Sequence, residues 1–425
     1  MTLPSAPERA AFLSGATVVE RLDVVLRFGA QVLRAGDPAF RVRQAMATVA
    51  RSQGLERLSL QMGLGGIFGT ARHGGETATV LREVGTPGVN AWRISALYEL
   101  ARDTPAGAGP SELEARLQAI DGAMPRYSVA ATAAAVGAAC GAFAVLNGGA
   151  GVEVAAAAVG AGVGQCARSI LLRRRLNQYA VTALCGLIAA GVYCLAALLA
   201  RYAGFGAARH AAGFISSVLF LVPGFPAIAA LLDILHYETA AALTRLAYAT
   251  TLLLSAALGL SVVVALVGFT VEKAPPAVAL AVPMRVLVRG AASLVGACGF
   301  AILFNGSWRN VWHVGALAVV GNEIRLGLRD AGMALPGATL VGAVAVGLAA
   351  SLARRWFREP RIALTVPGVI MMVPGLYAFQ MLVLFNQGEI VAGMAAAVSV
   401  GFVVGAMATG LAVARFVSEP EWAKG

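Results

Sequence analysis

The chain has 425 residues, of which 58% are hydrophobic and only 13% charged, and its mean hydropathy is +0.75. A soluble protein carries about 25% charged residues, so the composition excludes a soluble globular chain and predicts a multispanning membrane protein. The net charge of +11 does not imply nucleic acid, because arginines beside membrane spans set topology and meet anionic lipid.

Residues 1–125 form the polar part of the chain, and no apolar run there reaches membrane length. Residues 1–17 lack an apolar core after a basic start, so no signal peptide is expected. Thr17-Val18-Val19-Glu20 has capping-box spacing. Val18, Leu22, Val25, Gly29 and Val32 then recur at helical period. Gly36-Asp37-Pro38 ends that helix and starts a second, lined by Ala39, Val42, Met46 and Val49. Leu58 to Met62 alternates as a strand, Ile67 to Ala71 is its expected partner, and His73-Gly74-Gly75 reads as a turn. Val89 to Arg102 reads as a helix, and Ser111 to Glu114 as a second capping box. The expectation is a small cytoplasmic α+β domain over 1–125. Gly63, Gly65, Gly66 and Gly69 match neither GxGxxG nor GxxxxGK[ST], so close strand packing or a turn explains them better than a nucleotide site.

The rest contains about ten apolar runs, near 128–147, 151–172, 178–200, 211–235, 243–269, 283–304, 310–328, 336–354, 361–385 and 389–416. Each is about the 20 residues that a bilayer requires. Asn322, Glu323 and Arg325 interrupt the seventh. Arg173-Arg174-Arg175 and the group Arg354, Arg355, Arg358 and Arg361 fall on one side of a ten-span topology. Arg126, Arg245, Arg309 and Arg415 join them. The other side has fewer basic residues: Arg201, Arg209, Lys273, Arg285, Arg289 and Arg329. The positive-inside rule then places both termini in the cytoplasm, with the cytoplasmic (inner) membrane as the location.

Leu221-Val222-Pro223-Gly224-Phe225-Pro226 interrupts the fourth run, and Val373-Pro374-Gly375, with Pro367-Gly368 upstream, interrupts the ninth. Proline lacks an amide donor and clashes with the preceding turn. A shift of 151 residues superposes Val222-Pro223-Gly224 on Val373-Pro374-Gly375 and Glu238 on Glu389. The spans divide into two sets of five, over 126–270 and 271–425. Because five is odd, the second set enters the membrane from the opposite side. The expectation is an inverted-topology repeat, a transporter plan in which broken helices meet at a central site.

Val222-Pro223-Gly224-Phe225-Pro226, followed by Asp233 and Arg245, resembles the signature of the threonine/serine exporter family. Gly36-Asp37-Pro38-Ala39-Phe40-Arg41-Val42 is similar to that family's small-residue turn with an aromatic and Arg-Val. The second half, from Arg354-Arg355 through Val366-Pro367-Gly368 to Val373-Pro374-Gly375, resembles its C-terminal half. The resemblance implies ten transmembrane helices, a cytoplasmic N-terminal domain and export of threonine and serine driven by the proton motive force. Two positions depart from the family pattern. Arg43 stands where an acidic residue is usual, and His236-Tyr237 where a glycine turn is common.

The candidate substrate-binding residues are Pro223, Gly224, Phe225, Pro226, Pro374, Gly375 and Asn322. A kink alone would explain the prolines. The functional reading is that each break frees backbone groups for an amino acid's carboxylate and ammonium. Asp233 and Glu323 are the candidate proton-coupling carboxylates, since a partly buried carboxylate can load and release a proton. The plain alternatives are an ion pair of Asp233 with Arg245 and a surface position for Glu323. Glu153 reads as interfacial, Arg168 as snorkelling to the cytoplasmic surface, and Asn305 and Gln165 as minor substrate contacts.

Four scattered histidines and five cysteines without metal spacing point to no metal and no cofactor. The expected partners are a small amino acid, protons and the lipid bilayer, with a homo-oligomer left open. A membrane-embedded enzyme finds no HExxH or nucleophile set in the sequence. A channel or scaffold with a regulatory cytoplasmic domain stays as the alternative, as does export of a different small metabolite.

Overall fold

The computed structural model describes residues 16–63, 65–149, 151–205, 211–267, 280–354 and 360–419. The basic positions Arg209, Lys273, Arg355 and Arg358 lie outside them. The chain divides into two compact units, Met1–Pro125 with Ala229–Ala247, and Arg126–Ile228 with Tyr248–Gly425.

In the first unit, α1 spans Val18–Arg34. The Glu20 amide donates to the Thr17 hydroxyl (3.2 Å) and the Thr17 amide to the Glu20 carboxylate (2.8 Å), a reciprocal cap that satisfies two orphan donors. The chain turns at Gly36, where φ is 105°, and α2 follows over Ala39–Ser52. Strands β1 (Arg57–Met62), β2 (Gly66–His73) and β3 (Glu76–Glu83) form an antiparallel sheet in that order. Gly74 and Gly75, at φ 56° and 85°, supply the left-handed pair that a tight hairpin needs. The third strand goes beyond the two expected. Its exposed Thr77, Thr79, Leu81 and Glu83 alternate with the half-buried Ala78, Val80 and Arg82, as in a sheet with one face covered. Helix α1 lies close on the sheet, and a Cβ at Gly69 would sit 2.6 Å from Leu26 Cδ2. Close packing therefore accounts for that glycine.

Helix α3 spans Ala91–Asp103, with the Asn90 side chain accepting from the Arg93 amide at 3.0 Å. Helix α4 spans Pro110–Gly122 and is capped at Gly109 without a side-chain bond, so the capping box expected at Ser111 is corrected. Pro110 has no N–H to satisfy and its φ is already helical, so it starts the helix two residues earlier. The core of this unit also takes in Ala241 from the later segment.

The second unit is helical. It holds α5 (Val129–Leu146), α6 (Val152–Arg173), α7 (Gln178–Tyr202), α8 (Ala211–Ser217) and the start of α9 (Gly224–Ile234). After them come the part of α10 (Thr239–Val267) that follows Ala247, then α11 (Val282–Leu303), α12 (Trp308–Asp330), α13 (Leu335–Arg354), α14 (Arg361–Val369), α15 (Gly375–Asn386) and α16 (Ile390–Ser418). Among the described residues seven helices are long and apolar enough to cross a membrane, and the chain is a polytopic helical membrane protein. The seventh expected run is a continuous 23-residue helix, but its charges keep it out of that set. The segments Arg361–Met372 and Tyr377–Phe385 form a pair bent by 58°.

Helix boundaries recur along the chain. Leu146 and Leu303, which end α5 and α11, are 157 residues apart, as are Gln178 and Leu335, which start α7 and α13. The turns after α5 and α11 also match, with Gly148 at φ 85° and Asn305 at φ 58°. Beyond the third helices the spacing becomes 151. The 3-10 turns Leu219–Leu221 and Ile370–Met372 obey it, as do Gly224 and Gly375, which open the next helices. So do Thr239–Val267 and Ile390–Ser418, both 29 residues long.

Small residues let these helices approach backbone to backbone. A Cβ at Gly137 of α5 would lie 2.6 Å from the Ala158 carbonyl oxygen of α6, and a backbone atom cannot swing aside. Gly137→Leu should lower the detergent thermal-unfolding midpoint by an overpacking cost of about 1–3 kcal/mol. An unchanged midpoint would show that these helices are not held at that distance.

Candidate functional site

Each break is built in the same way. Pro223 and Pro374 offer no amide, so the ladder stops and the preceding residues tighten into a 3-10 turn. The Val222 amide donates to the Leu219 carbonyl (3.0 Å) and the Val373 amide to the Ile370 carbonyl (3.1 Å). The Gly224 amide then turns back to the Val222 carbonyl, and the Gly375 amide to the Val373 carbonyl, each at 2.8 Å. The two breaks touch. A Cβ at Gly224 would lie 3.3 Å from Val373 Cγ2 and 3.9 Å from Ile370 Cδ1, while one at Gly375 would lie 2.6 Å from Leu219 Cδ1. Ile370 and Leu219 are the first residues of the two 3-10 turns, so each glycine faces the other half's turn.

The candidates Pro223, Gly224, Phe225, Pro226, Pro374 and Gly375 are thus brought together. Phe225 is buried and packs edge-on to Phe304, centroids 5.6 Å apart. A cavity of about 30 Å³ lies beside the contact, lined by Leu219, Val222, Gly375 and Phe379 among others. It holds about one water, so this arrangement is closed to an amino acid. In the first turn of α9 the Gly224 amide is already spent, the Ala227 amide returns to the Pro223 carbonyl (3.1 Å), and Pro226 has no amide. Phe225 is left as the main first-turn donor. The Phe220 backbone amide donates to the Cys140 sulfur.

Asn322 is buried on α12. Its Nδ2 donates to Ser293 Oγ at 2.8 Å, and its Oδ1 accepts from Arg325 at 3.1 Å. The neighbouring Gly321 abuts the second turn, where a Cβ would lie 2.7 Å from Met372 Cε. Glu323 is half-buried near Arg289 and Asp330. Asn305 occupies the left-handed turn after α11 and accepts from the Arg126 amide at 2.8 Å.

Glu153 is only 3% exposed, which corrects its reading as interfacial. Its counterpart 157 residues on is Asn310, also buried. A Cβ at Gly149 would lie 3.2 Å from Glu153 Oε2, and one at Gly306 would lie 3.3 Å from Asn310 Nδ2. The turn that precedes the second helix of each half therefore folds over a buried polar side chain. A polar residue at the start of an apolar run reads as interfacial by default, and only the fold over it reveals the burial.

Asp233 belongs to the first unit and is fully buried. Helix α2 begins after Pro38, whose side chain cannot cap it. The Asp233 carboxylate does so from a distant part of the chain, accepting from the Phe40 amide (3.3 Å) and from the Ala39 amide. A carboxylate there also meets the positive end of the helix. Arg245 lies beside it, Nε to Oδ2 3.6 Å, and donates to the Gly36 carbonyl (3.0 Å) and the Asp37 carbonyl (2.9 Å).

Asp37 is itself buried and accepts from Tyr98 and Arg41. Burial works against the Arg41 charge, but Asp37 and Tyr98 together outweigh it, so the guanidinium titrates above its ordinary range. Burial and Asp37 together push the Tyr98 hydroxyl upward. The two departures from the family pattern face partners of their own. Arg43 makes a two-pronged pair with Glu238, and His236 stacks on Phe40 at 3.6 Å.

A many-helix membrane bundle with two interrupted helices has the build of a transporter. Threonine/serine exporter (ThrE) family models match residues 23–267 and 289–417. The chain belongs to the threonine/serine exporter family, a family of transporters and not of enzymes. No curated protein and no solved structure gives a significant match.

Asp233→Ala should cost about 3–5 kcal/mol, the penalty for breaking a buried pair by removing one partner. It should also speed hydrogen exchange at the Ala39 and Phe40 amides, and unchanged exchange there would remove Asp233 as the cap. Arg43 and Glu238 are 41% and 13% exposed. A double-mutant cycle on this pair should give a coupling of no more than about 1 kcal/mol.

Proposed function

We propose that the chain is a secondary active exporter of small neutral amino acids, threonine and serine, driven by the proton motive force. The contact between two alike Pro-Gly breaks, in a member of this exporter family, carries the reading. Ten spans in two inverted five-helix repeats, over 126–270 and 271–425, fit the recurring helix boundaries. The two family matches part between 267 and 289, which favours the same division. Residues 1–125 are the cytoplasmic domain of this scheme. The arginine distribution supports cytoplasmic termini and an inner-membrane location.

The substrate binds where the breaks part, against Pro223, Gly224, Phe225, Pro226, Pro374, Gly375 and Asn322. The closed contact is then one stage of alternating access, in which one half rocks against the other around the site. Asp233 and Glu323 carry the proton. Protonating Asp233 neutralises the carboxylate that caps α2 and faces Arg245, which gives a proton a mechanical consequence. Glu323 Oε1 is buried without a hydrogen-bond partner among the described residues, leaving it open to a proton.

Proteoliposomes test the proposal. Vesicles loaded with labelled threonine or serine and given a proton gradient should show gradient-dependent flux, and Asp233→Asn should lose the gradient dependence. Absence of gradient-dependent flux for any small amino acid would refute the exporter reading. Intact coupling in Asp233→Asn would remove that residue from the proton path.

A further inference from the structure

The second helix of each half carries the same five-residue pattern. It reads Gly164-Gln165-Cys166-Ala167-Arg168 on α6 and Gly321-Asn322-Glu323-Ile324-Arg325 on α12. The spacing is 157 residues, the same as for the helix ends before it. Both glycines touch a break, since a Cβ at Gly164 would lie 2.9 Å from Phe220 Cζ and one at Gly321 would lie 2.7 Å from Met372 Cε. Each arginine is four residues further along, about 6 Å on the helix. The amides are 4% and 1% exposed.

The polar atoms here are incompletely satisfied. Gln165 Nε2 donates to Ser169 Oγ (3.1 Å), but Gln165 Oε1 has no hydrogen-bond partner among the described residues. The buried Nε atoms of Arg168 and Arg325 have none either, and neither side chain forms an ion pair there. The electrostatic neighbours of Arg168 are Tyr248 and Cys185, and those of Arg325 are Arg329 and Tyr377. Tyr377 lies two residues after Gly375 in the second break. Both arginines are half-buried, and a guanidinium without a counter-ion within a membrane span is costly and marks a substrate path by default. Its planar fork matches a carboxylate. The first break has few free amides, so a carboxylate is better served one turn away, at the arginine.

We propose that Arg168 and Arg325 are paired stations for the substrate carboxylate, one in each half, with Gln165 and Asn322 as their amide partners. The inference rests on the exporter reading. Under its inverted topology Arg168 lies toward the cytoplasm and Arg325 toward the outside, so the carboxylate passes from one to the other as the breaks part.

The test compares labelled threonine, its carboxyl-free amino alcohol and a small hydroxy acid in proteoliposomes. The proteins are wild type, Arg168→Gln, Arg325→Gln and the two lysine variants, each checked for monodisperse elution. Wild type should prefer threonine over the amino alcohol. That preference should fall roughly 10–100-fold in either glutamine variant, the loss expected for a charged hydrogen-bond donor. Arg168→Gln should raise KM for substrate on the cytoplasmic side and Arg325→Gln on the outer side, with partial recovery in the lysine variants. Should a glutamine variant not fold, the lysine variant decides, because it keeps the charge but loses the fork and should show an intermediate preference. An unchanged preference overturns the proposal and leaves the arginines to lipid headgroups. If wild type moves only the hydroxy acid, in an arginine-dependent way, the amino-acid reading falls and the stations stand. If wild type moves none of the three, both fall.

Discussion

The membrane unit is organised by a missing hydrogen-bond donor. Pro223 and Pro374 stop the backbone ladder inside apolar helices, where no bulk water can replace the lost bond. Both halves solve this alike, with a 3-10 turn before the proline and a glycine amide folded back to the valine carbonyl after it. Such a turn leaves room for close approach only if its neighbours are small. Gly224 and Gly375 meet that demand, each resting on the other half's turn. The breaks are therefore one structural feature made twice and pressed together, and the tiny cavity beside them follows from that fit.

The first unit depends on a different satisfaction problem. Helix α2 follows a proline that cannot cap it, and Asp233 supplies the missing acceptor from almost two hundred residues away. Arg245 then binds the carbonyls of the same turn. The family-like residues Gly36 to Val42, Asp233 and Arg245 thus belong to one buried assembly. The same geometry explains why Arg43 and His236 are tolerated. Each pair joins α2 to the 229–247 segment, Arg43 meeting Glu238 and His236 the ring of Phe40.

Much of the fold is legible in the sequence because its signals are local. Apolar run length marks the spans, Thr17 and Glu20 mark a helix start, and proline with glycine marks the breaks. The misses also have physical causes. Pro110 outcompetes Ser111 for the helix start. Glu153 sits at the end of an apolar run, where polar residues usually face the interface, and only the turn folded over it shows that it is buried. The Gly-amide-x-x-Arg pattern was hidden by alignment at a single offset of 151, because the halves differ in length between their third and fourth helices. Aligned at 157, glycine falls on glycine, amide on amide and arginine on arginine.

The sequence by itself determined the membrane class, the α+β start of the chain, the two interrupted helices and the family. These follow from composition, periodicity and the fixed chemistry of proline and glycine, which act over a few residues. Tertiary structure alone decided that the breaks touch, that Asp233 caps a distant helix, and that Arg168 and Arg325 are left with buried, unmatched nitrogens. Those outcomes depend on which side chains meet across long stretches of chain, and no local pattern encodes the partner.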